Sequence, residues 1–312
     1  MNALVLGGNG FIGSHLVDTL LKAGHKVRVF DLLPERYRRP LPDVDYQVGK
    51  IGDALAVAEA LDGTDIVYHL VSTTVPATSN LDPISDVREN LSATLVLLDQ
   101  MVKTGVKRIV YLSSGGTVYG NPHSLPVSED HPLKPICSYG VVKVAIENYL
   151  YMYQELHGLN PIVLRPSNPF GPRQGHLGVQ GLVATIFNKV MNDEPLHVWG
   201  DGSIVRDYIF VSDLAEITKL AGESGLGGVF NIGHGAGFSV NDLIKKISEV
   251  TGVIPKVNYM VTRSFDVKEV VLDTAKCYET FKWKAHTAVV DGLRQHWQWL
   301  QNLDKHESAA MN

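Results

Sequence analysis

Residues 3–13 read Ala3-Leu4-Val5-Leu6-Gly7-Gly8-Asn9-Gly10-Phe11-Ile12-Gly13, an apolar run that breaks into glycines and resumes as a helical pattern toward Ala23. The run predicts a buried strand and the stretch from Phe11 a helix, so the glycines occupy a strand-to-helix turn. At such a turn Gly7 permits a tight reversal, Gly10 lets the backbone approach a pyrophosphate, and Gly13 allows the helix to pack closely on the sheet. The first N–H groups of the helix, near Phe11 and Ile12, then face the phosphates. An ordinary glycine turn has the same composition. The flanking strand and helix are what point to a dinucleotide cradle.

Asp31 ends the next apolar run, eighteen residues after Gly13. A carboxylate there accepts hydrogen bonds from the adenosine ribose hydroxyls and repels a 2′-phosphate, so the expected cofactor is NAD rather than NADP. Arg36, Arg38 and Arg39 follow it and read as solvated loop charges. Asp53, after Gly49-Lys50-Ile51-Gly52, is a candidate adenine contact, and Ile51 stands beside it.

The same rhythm continues down the chain. Strands are predicted at Ala3–Leu6, Lys26–Phe30, Asp45–Val48, Asp65–Leu70, Arg108–Leu112 and Pro161–Leu164. Helices are predicted between them near Phe11–Ala23, Ala54–Leu61, Ile84–Lys103 and Ser138–His157. Nearly all-apolar strands alternating with helices argue an α/β fold with a doubly wound parallel sheet, the Rossmann arrangement. Pro166, Pro169, Gly171, Pro172, Gly175 and Gly178 then punctuate a loop. We therefore expect an NAD-binding domain over 1–165 and a smaller C-terminal α/β substrate lobe over 166–312, with segments near 206–232 returning to the first domain. In the second half helices are expected near Val179–Asn192, Val211–Ala221, Val240–Thr251 and Val289–Leu303, with a strand at Leu196–Trp199.

Composition narrows the function. The chain has 312 residues, is 45% hydrophobic and 20% charged, and carries a net charge of −5. Those values fit a soluble globular protein and give no electrostatic case for nucleic-acid or acidic-membrane binding. Small anionic substrates stay open, because a few arginines in a cleft suffice for them. No run approaches the ~20 apolar residues of a membrane span, and no basic region precedes the first apolar run, so a cytoplasmic location is expected. The cysteines, Cys137 and Cys277, and the scattered histidines show no metal-ligand spacing. No metal site and reduced thiols are expected.

Residues 139–143 read Tyr139-Gly140-Val141-Val142-Lys143. A Tyr and a Lys four residues apart share one helical face. A free phenol titrates near ~10, and bringing it to about 7 takes roughly 4 kcal/mol of differential stabilisation. A nearby ammonium works in that direction. Upstream, Ser113-Ser114-Gly115-Gly116-Thr117-Val118-Tyr119-Gly120 ends the fifth strand, where hydroxyls can either meet a sugar hydroxyl or cap the turn. A redox cofactor beside a proton-moving phenol implies oxidation and reduction at a hydroxyl-bearing carbon.

These residues resemble the extended short-chain dehydrogenase/reductase superfamily, in particular nucleotide-sugar epimerases of the UDP-galactose 4-epimerase type. Other segments carry the likeness across nearly the whole chain. Asn90-Leu91-Ser92-Ala93-Thr94 is similar to the segment below the nicotinamide. The run from Arg165 to Gln174 is similar to the substrate loop, the run from Gly200 to Ile209 to the second arginine motif, and Arg263-Ser264-Phe265-Asp266 to a late R-x-x-D element. The resemblance implies a UDP-sugar substrate. Asn168, Arg206 and Arg263 would contact its diphosphate and Asp266 its uridine ribose, with Trp199 near the uracil. It implies cofactor contacts from Gly7, Gly10, Phe11, Ile12, Gly13, Asp31, Ile51, Asp53, Leu70, Asn90, Ser113, Tyr139 and Lys143. Read without the family, Arg206 and Arg263 are equally surface charges, and Trp199 equally a core residue.

Three departures stand out. Gly115 occupies the position where the family usually has a catalytic Ser or Thr, so the hydroxyl must come from Thr117 or Ser114 or be absent. Ser138 replaces a proline before the tyrosine, and Lys50 an aspartate in the adenine loop. Related 4,6-dehydratases and decarboxylases carry an acid where this chain has Gly116-Thr117, and inversion at C4 needs none. The resemblance thus implies an NAD-dependent C4 epimerase passing through a 4-keto sugar, with Tyr139 as acid/base and Lys143 lowering its pKa. An NADPH-dependent 4-keto-sugar reductase and a non-catalytic NAD-binding scaffold are the rival readings. The helices near Ile84–Lys103 and Ser138–His157 carry more apolar surface than one face can bury, including Leu91, Leu95, Leu98, Tyr149, Tyr151, Met152 and Tyr153, which predicts a homodimer.

Overall fold

A computed structural model describes residues 1–175, 181–261 and 267–310 of the chain. Through the first half the elements are β1 (Asn2–Leu6), α1 (Phe11–Lys22), β2 (Lys26–Asp31), β3 (Val44–Val48), α2 (Ala54–Leu61), β4 (Ile66–His69), α3 (Pro83–Asp86), α4 (Ala93–Thr104), β5 (Arg108–Leu112), α5 (Ser138–His157) and β6 (Asn160–Pro166). The second half adds β7 (Asn168–Phe170), α6 (Leu182–Met191), β8 (Leu196–Trp199), β9 (Val205–Phe210), α7 (Val211–Ser224), β10 (Gly228–Ile232), β11 (Gly237–Ser239), α8 (Val240–Thr251), β12 (Val257–Met260), β13 (Glu269–Val270), α9 (Ala275–Phe281) and α10 (Val289–Ala310).

Seven strands form one parallel sheet in the order β10-β6-β5-β4-β1-β2-β3. The strand order reverses between β1 and β4, which is where an open α/β sheet leaves a crevice for a ligand. Both faces are covered. Val5, Val29 and Tyr68 pack with Leu16 and Leu20 of α1 and Leu214 and Ile217 of α7. Leu4, Leu6 and Val67 pack on the other side with Val57 of α2, Leu97 of α4 and Ile146 of α5. Alternate residues of each strand serve opposite cores, which is why the strands read as unbroken apolar runs. Each such fully buried aliphatic side chain contributes roughly 1.5–3 kcal/mol.

Local chemistry fixes the helix ends that frame the site. Asp53 caps α2 by accepting from the N–H groups of Leu55 and Ala56. Gly158, in the left-handed region at φ 67°, ends α5. The helix expected over Ile84–Lys103 is broken. It begins as α3, passes through a π-helical turn at Val87–Ser92, and only then continues as α4. A π turn inserts one residue and offsets the apolar stripe beyond it, and a reading at one constant helical period merges the two segments.

The remaining strands build a smaller unit. β9 lies between β11 and β13 and also pairs with β7, while β8 pairs with β12. Its own core contains Phe170, Phe187, Tyr208, Phe210, Leu243, Ile247 and Leu293. β10 leaves this unit and becomes an edge strand of the main sheet.

Candidate active site

The glycine loop is closed by sterics. Gly7 holds φ +80°, and a Cβ on Gly13 would lie 2.1 Å from the Gly7 carbonyl oxygen and 2.7 Å from Gly8 Cα. The Gly10 N–H donates to Gly7 O at 3.1 Å, pinning the turn. From this turn a cavity of about 880 Å³ opens, lined by Gly7, Gly10, Asp31, Ile51, Asp53, Leu70 and Ser72. Phe11 and Ile12 begin α1 beside it, and Asn90 and Ser113 are buried. Asp31 is held by backbone donors, Asn9 N–H on Oδ2 at 3.0 Å and Leu33 N–H on Oδ1 at 3.2 Å. Its carboxylate therefore stays at the rim, where ribose hydroxyls would reach it. Of the three arginines read as loop charges, Arg38 is bound to Asp18 and Glu35, while Arg36 lines the cavity. A glycine turn with no room for side chains and a fixed carboxylate fit the pyrophosphate and ribose of NAD.

Tyr139 and Lys143 occupy the first turns of α5, at the carboxyl ends of β4 and β5. The Lys143 ammonium is buried, lies 5.4 Å from the centre of the Tyr139 ring, and donates to Leu112 O at 2.8 Å. Burial pushes its pKa down to about 8, opposed by the carboxylates of Glu147 and Asp86. Tyr139 moves the other way, up to about 12, chiefly through burial, while hydrogen bonding from Ser114 and Ser72 pulls it down. The expected lowering of the phenol pKa draws on Lys143 together with the positive nicotinamide ring, and the latter comes with the bound cofactor. The Lys143 ammonium itself is engaged by the Leu112 carbonyl.

The serine strip places the two candidate hydroxyls differently. Ser114 faces the phenol, whereas Thr117 Oγ1 is buried and makes no hydrogen bond within the described residues. Gly115 is sterically required, since a Cβ there would meet Leu272 Cδ1 at 2.5 Å and Arg165 O at 2.8 Å. Neighbouring Ser113 donates to Glu147, which also receives a forked ion pair from Arg165, with Nη2 to Oε2 at 2.6 Å. Arg165 reaches on to Tyr119 Oη at 2.9 Å, and Tyr119 donates to Asn231 at 2.6 Å. This buried network locks α5 to the ends of β5, β6 and β10.

On the substrate side the Asn168 amide donates to Asp207 O at 3.0 Å, and Arg206 on β9 donates to Val205 O at 2.8 Å. Trp199 ends β8, 42% exposed. Arg263 and Asp266 lie outside the described residues. Asp53, expected at the adenine, lines the cavity but also spends its carboxylate on capping α2. Sequence reading missed Ser72, Asp86 and Glu147, and took Arg165 as the start of the substrate loop. Glu147 alone left a signal, one helical turn beyond Lys143 on the same face.

Residues 3–233 match the model of the NAD dependent epimerase/dehydratase family. A UDP-glucose 4-epimerase of Mycolicibacterium smegmatis is 33% identical over 97% of this chain and 99% of its own length. Among solved structures, UDP-glucose 4-epimerase of Thermotoga maritima with UDP-glucose superposes with a TM-score of 0.92 at 35% identity, covering 97% of this chain and 99% of that one. The Thermus thermophilus UDP-glucose 4-epimerase complex with NAD gives 0.91 at 32% identity, covering 96% and 99%. Among the described residues no helix is long and apolar enough to cross a membrane.

Proposed function

The chain belongs to the NAD dependent epimerase/dehydratase family, and from that premise and the geometry of the site we propose that it inverts C4 of a UDP-sugar. The reading is carried by one observation: Tyr139 faces Ser114 with Lys143 one helical turn away, and no acid stands at Gly116-Thr117. NAD, held by the glycine loop and Asp31, supplies when bound a reversible hydride acceptor for C4. Tyr139 takes the C4 hydroxyl proton and returns it, and Ser114 steadies the C4 oxygen. Lys143 holds the nicotinamide ribose. Its positive charge, with that of the oxidised nicotinamide, opposes the desolvation that keeps the phenol protonated. Arg206, Arg263 and Asn168 hold the diphosphate, Asp266 the uridine ribose and Trp199 the uracil, so the sugar is free to turn over. The relatives named UDP-glucose 4-epimerase support the glucose/galactose pair as substrate.

The test is incubation of the purified protein with UDP-glucose, UDP-N-acetylglucosamine and UDP-glucuronate, with chromatographic separation of epimers and mass spectrometry. The expected result is an epimer formed with NAD retained and no net reduced cofactor consumed. Stoichiometric consumption of reduced cofactor would instead identify a reductase, and absence of turnover with every sugar a scaffold. A homodimer is part of the reading. Ile84, Val141, Tyr151 and Leu156 expose apolar surface on α3 and α5, and pairing two copies would cover it. A monomeric mass by light scattering at micromolar concentration would refute the pairing.

A further inference from the structure

Asp86, the last residue of α3, is completely buried. Three neutral side chains converge on it. Thr74 donates to Oδ1 at 2.7 Å, Asn90 Nδ2 donates to Oδ1 at 2.8 Å, and Ser138 donates to Oδ2 at 2.6 Å. These partners come from three separate segments: the loop after β4, the π-helical turn, and the first residue of α5. A carboxylate offers about four acceptor sites on two oxygens, which is what collecting donors from three directions requires. Burying such a group costs several kcal/mol before any compensation. An apolar residue would pack the same junction more cheaply if packing were all that was needed.

Each arm of this hub leads to the phenol. Ser138 directly precedes Tyr139, and its N–H is also held, by Asn80 Oδ1 at 2.8 Å. The resemblance implies a proline at this position, which has neither an N–H nor a hydroxyl to give. Here two hydrogen bonds onto the α3 region replace the stiffness of a ring. The other arm holds the loop bearing Ser72. Asn90 grips Thr73 from both ends of its amide, with Thr73 N–H to Oδ1 at 2.9 Å and Nδ2 to Oγ1 at 2.9 Å. Ser72 Oγ donates to Thr74 O at 3.0 Å, and the same hydroxyl faces Tyr139.

We propose that Asp86 is a positioning residue that fixes the phenol of Tyr139 between Ser72 and Ser114, by tying the first turn of α5 to the loop over 72–74. The proposal rests on the reading of Tyr139 as the acid/base. It assigns to Asp86 and Ser138 no contact with substrate.

Asp86→Ala in the NAD-loaded protein cuts both arms. Misplacing a reacting group by about 1 Å costs on the order of 10²-fold, so kcat should fall ~10–100-fold. KM should stay within about threefold, because the diphosphate contacts are untouched. Ser138→Ala and Thr74→Val each cut one arm and should each lower kcat by a smaller factor, while Ser138→Thr, which keeps the hydroxyl, restores it. Hydrogen exchange followed by mass spectrometry supplies a readout apart from activity. Asp86→Ala should loosen the segments 70–78 and 137–143 together, and Ser138→Ala only the second. Should Asp86→Ala fail to fold, the two single-arm variants decide. Wild-type kcat in both, or exchange that rises uniformly across the chain, overturns the proposal. Should the wild type epimerise none of the three UDP-sugars, the functional reading fails, and the segment-specific exchange alone decides whether Asp86 ties the two segments.

Discussion

In the glycine loop the working groups are backbone N–H donors, and one added methyl on Gly13 would sit 2.1 Å from a carbonyl oxygen. Around Tyr139 the working groups are side-chain oxygens, and their positions depend on a carboxylate, a serine strip and a buried ion pair from other segments. The first region is damaged by adding atoms and the second by removing them. On the proposed function, binding and chemistry should therefore be separable by mutation, although both sit on the ends of the same strands.

The sharpest way to break this contrast is Gly13→Ala. The clash is with backbone, so the loop itself must move. We expect loss of co-purifying NAD and destabilisation of at least the ~1–3 kcal/mol of ordinary overpacking, read by cofactor absorbance and urea denaturation. A stable variant that keeps its NAD would mean that the cradle tolerates a shift the geometry forbids. Tyr139→Phe is the converse experiment. It removes one oxygen, and should lower kcat by the ~10²–10⁴-fold typical of a general acid–base group while leaving NAD content and melting temperature unchanged. Near-normal turnover would remove the phenol from the mechanism.

The serine strip sharpens the comparison within the second region. Ser114→Ala should lower kcat by up to ~10²–10³-fold, the loss seen when one donor to a developing charge is deleted. Thr117→Val should be much milder, since its hydroxyl has no partner within the described residues. Gly115→Ser should destabilise rather than improve the enzyme, because Leu272 and the Arg165 carbonyl already fill that space. If Thr117→Val proves the damaging change, the assignment of the hydroxyl is reversed.

Acid sensitivity is set by buried imidazoles. Burial lowers the pKa of His15 on α1 to about 4, and those of His69 at the end of β4 and His296 on α10 to about 3. Unfolding returns them to their ordinary value near 6.5, so the unfolded chain binds more protons in acid. Stability is full above pH ~6.5 and declines as the pH falls toward 4. Urea midpoints at pH 7.5 and 5 should differ accordingly, and His296→Leu should flatten the dependence. Equal midpoints would show that these imidazoles do not stay neutral.

Much of the framework is legible because its constraints are local. β5 spans Arg108–Leu112, and α2, α5 and α8 span Ala54–Leu61, Ser138–His157 and Val240–Thr251, as expected. The second region is less so. Asp86 reads as a surface charge until its burial is known, and Ser72 has no motif around it. The short strands β9, β11 and β13 pair with segments far away in the chain, so neither period nor turn residues announce them. Where side chains from several segments converge, sequence spacing carries no distance.

The position of β10 has a further consequence for biosynthesis. Its ladder with β6 joins Gly228–Ile232 to Ile162–Pro166, across the whole intervening stretch. A nascent chain that has released β6 still exposes an unpaired strand edge, and it stays exposed until the ribosome has delivered Ile232. Stalling or truncation in that interval leaves a nucleotide-binding sheet that is sticky rather than finished. The parallel sheet of this molecule is thus complete only once β10 has been made.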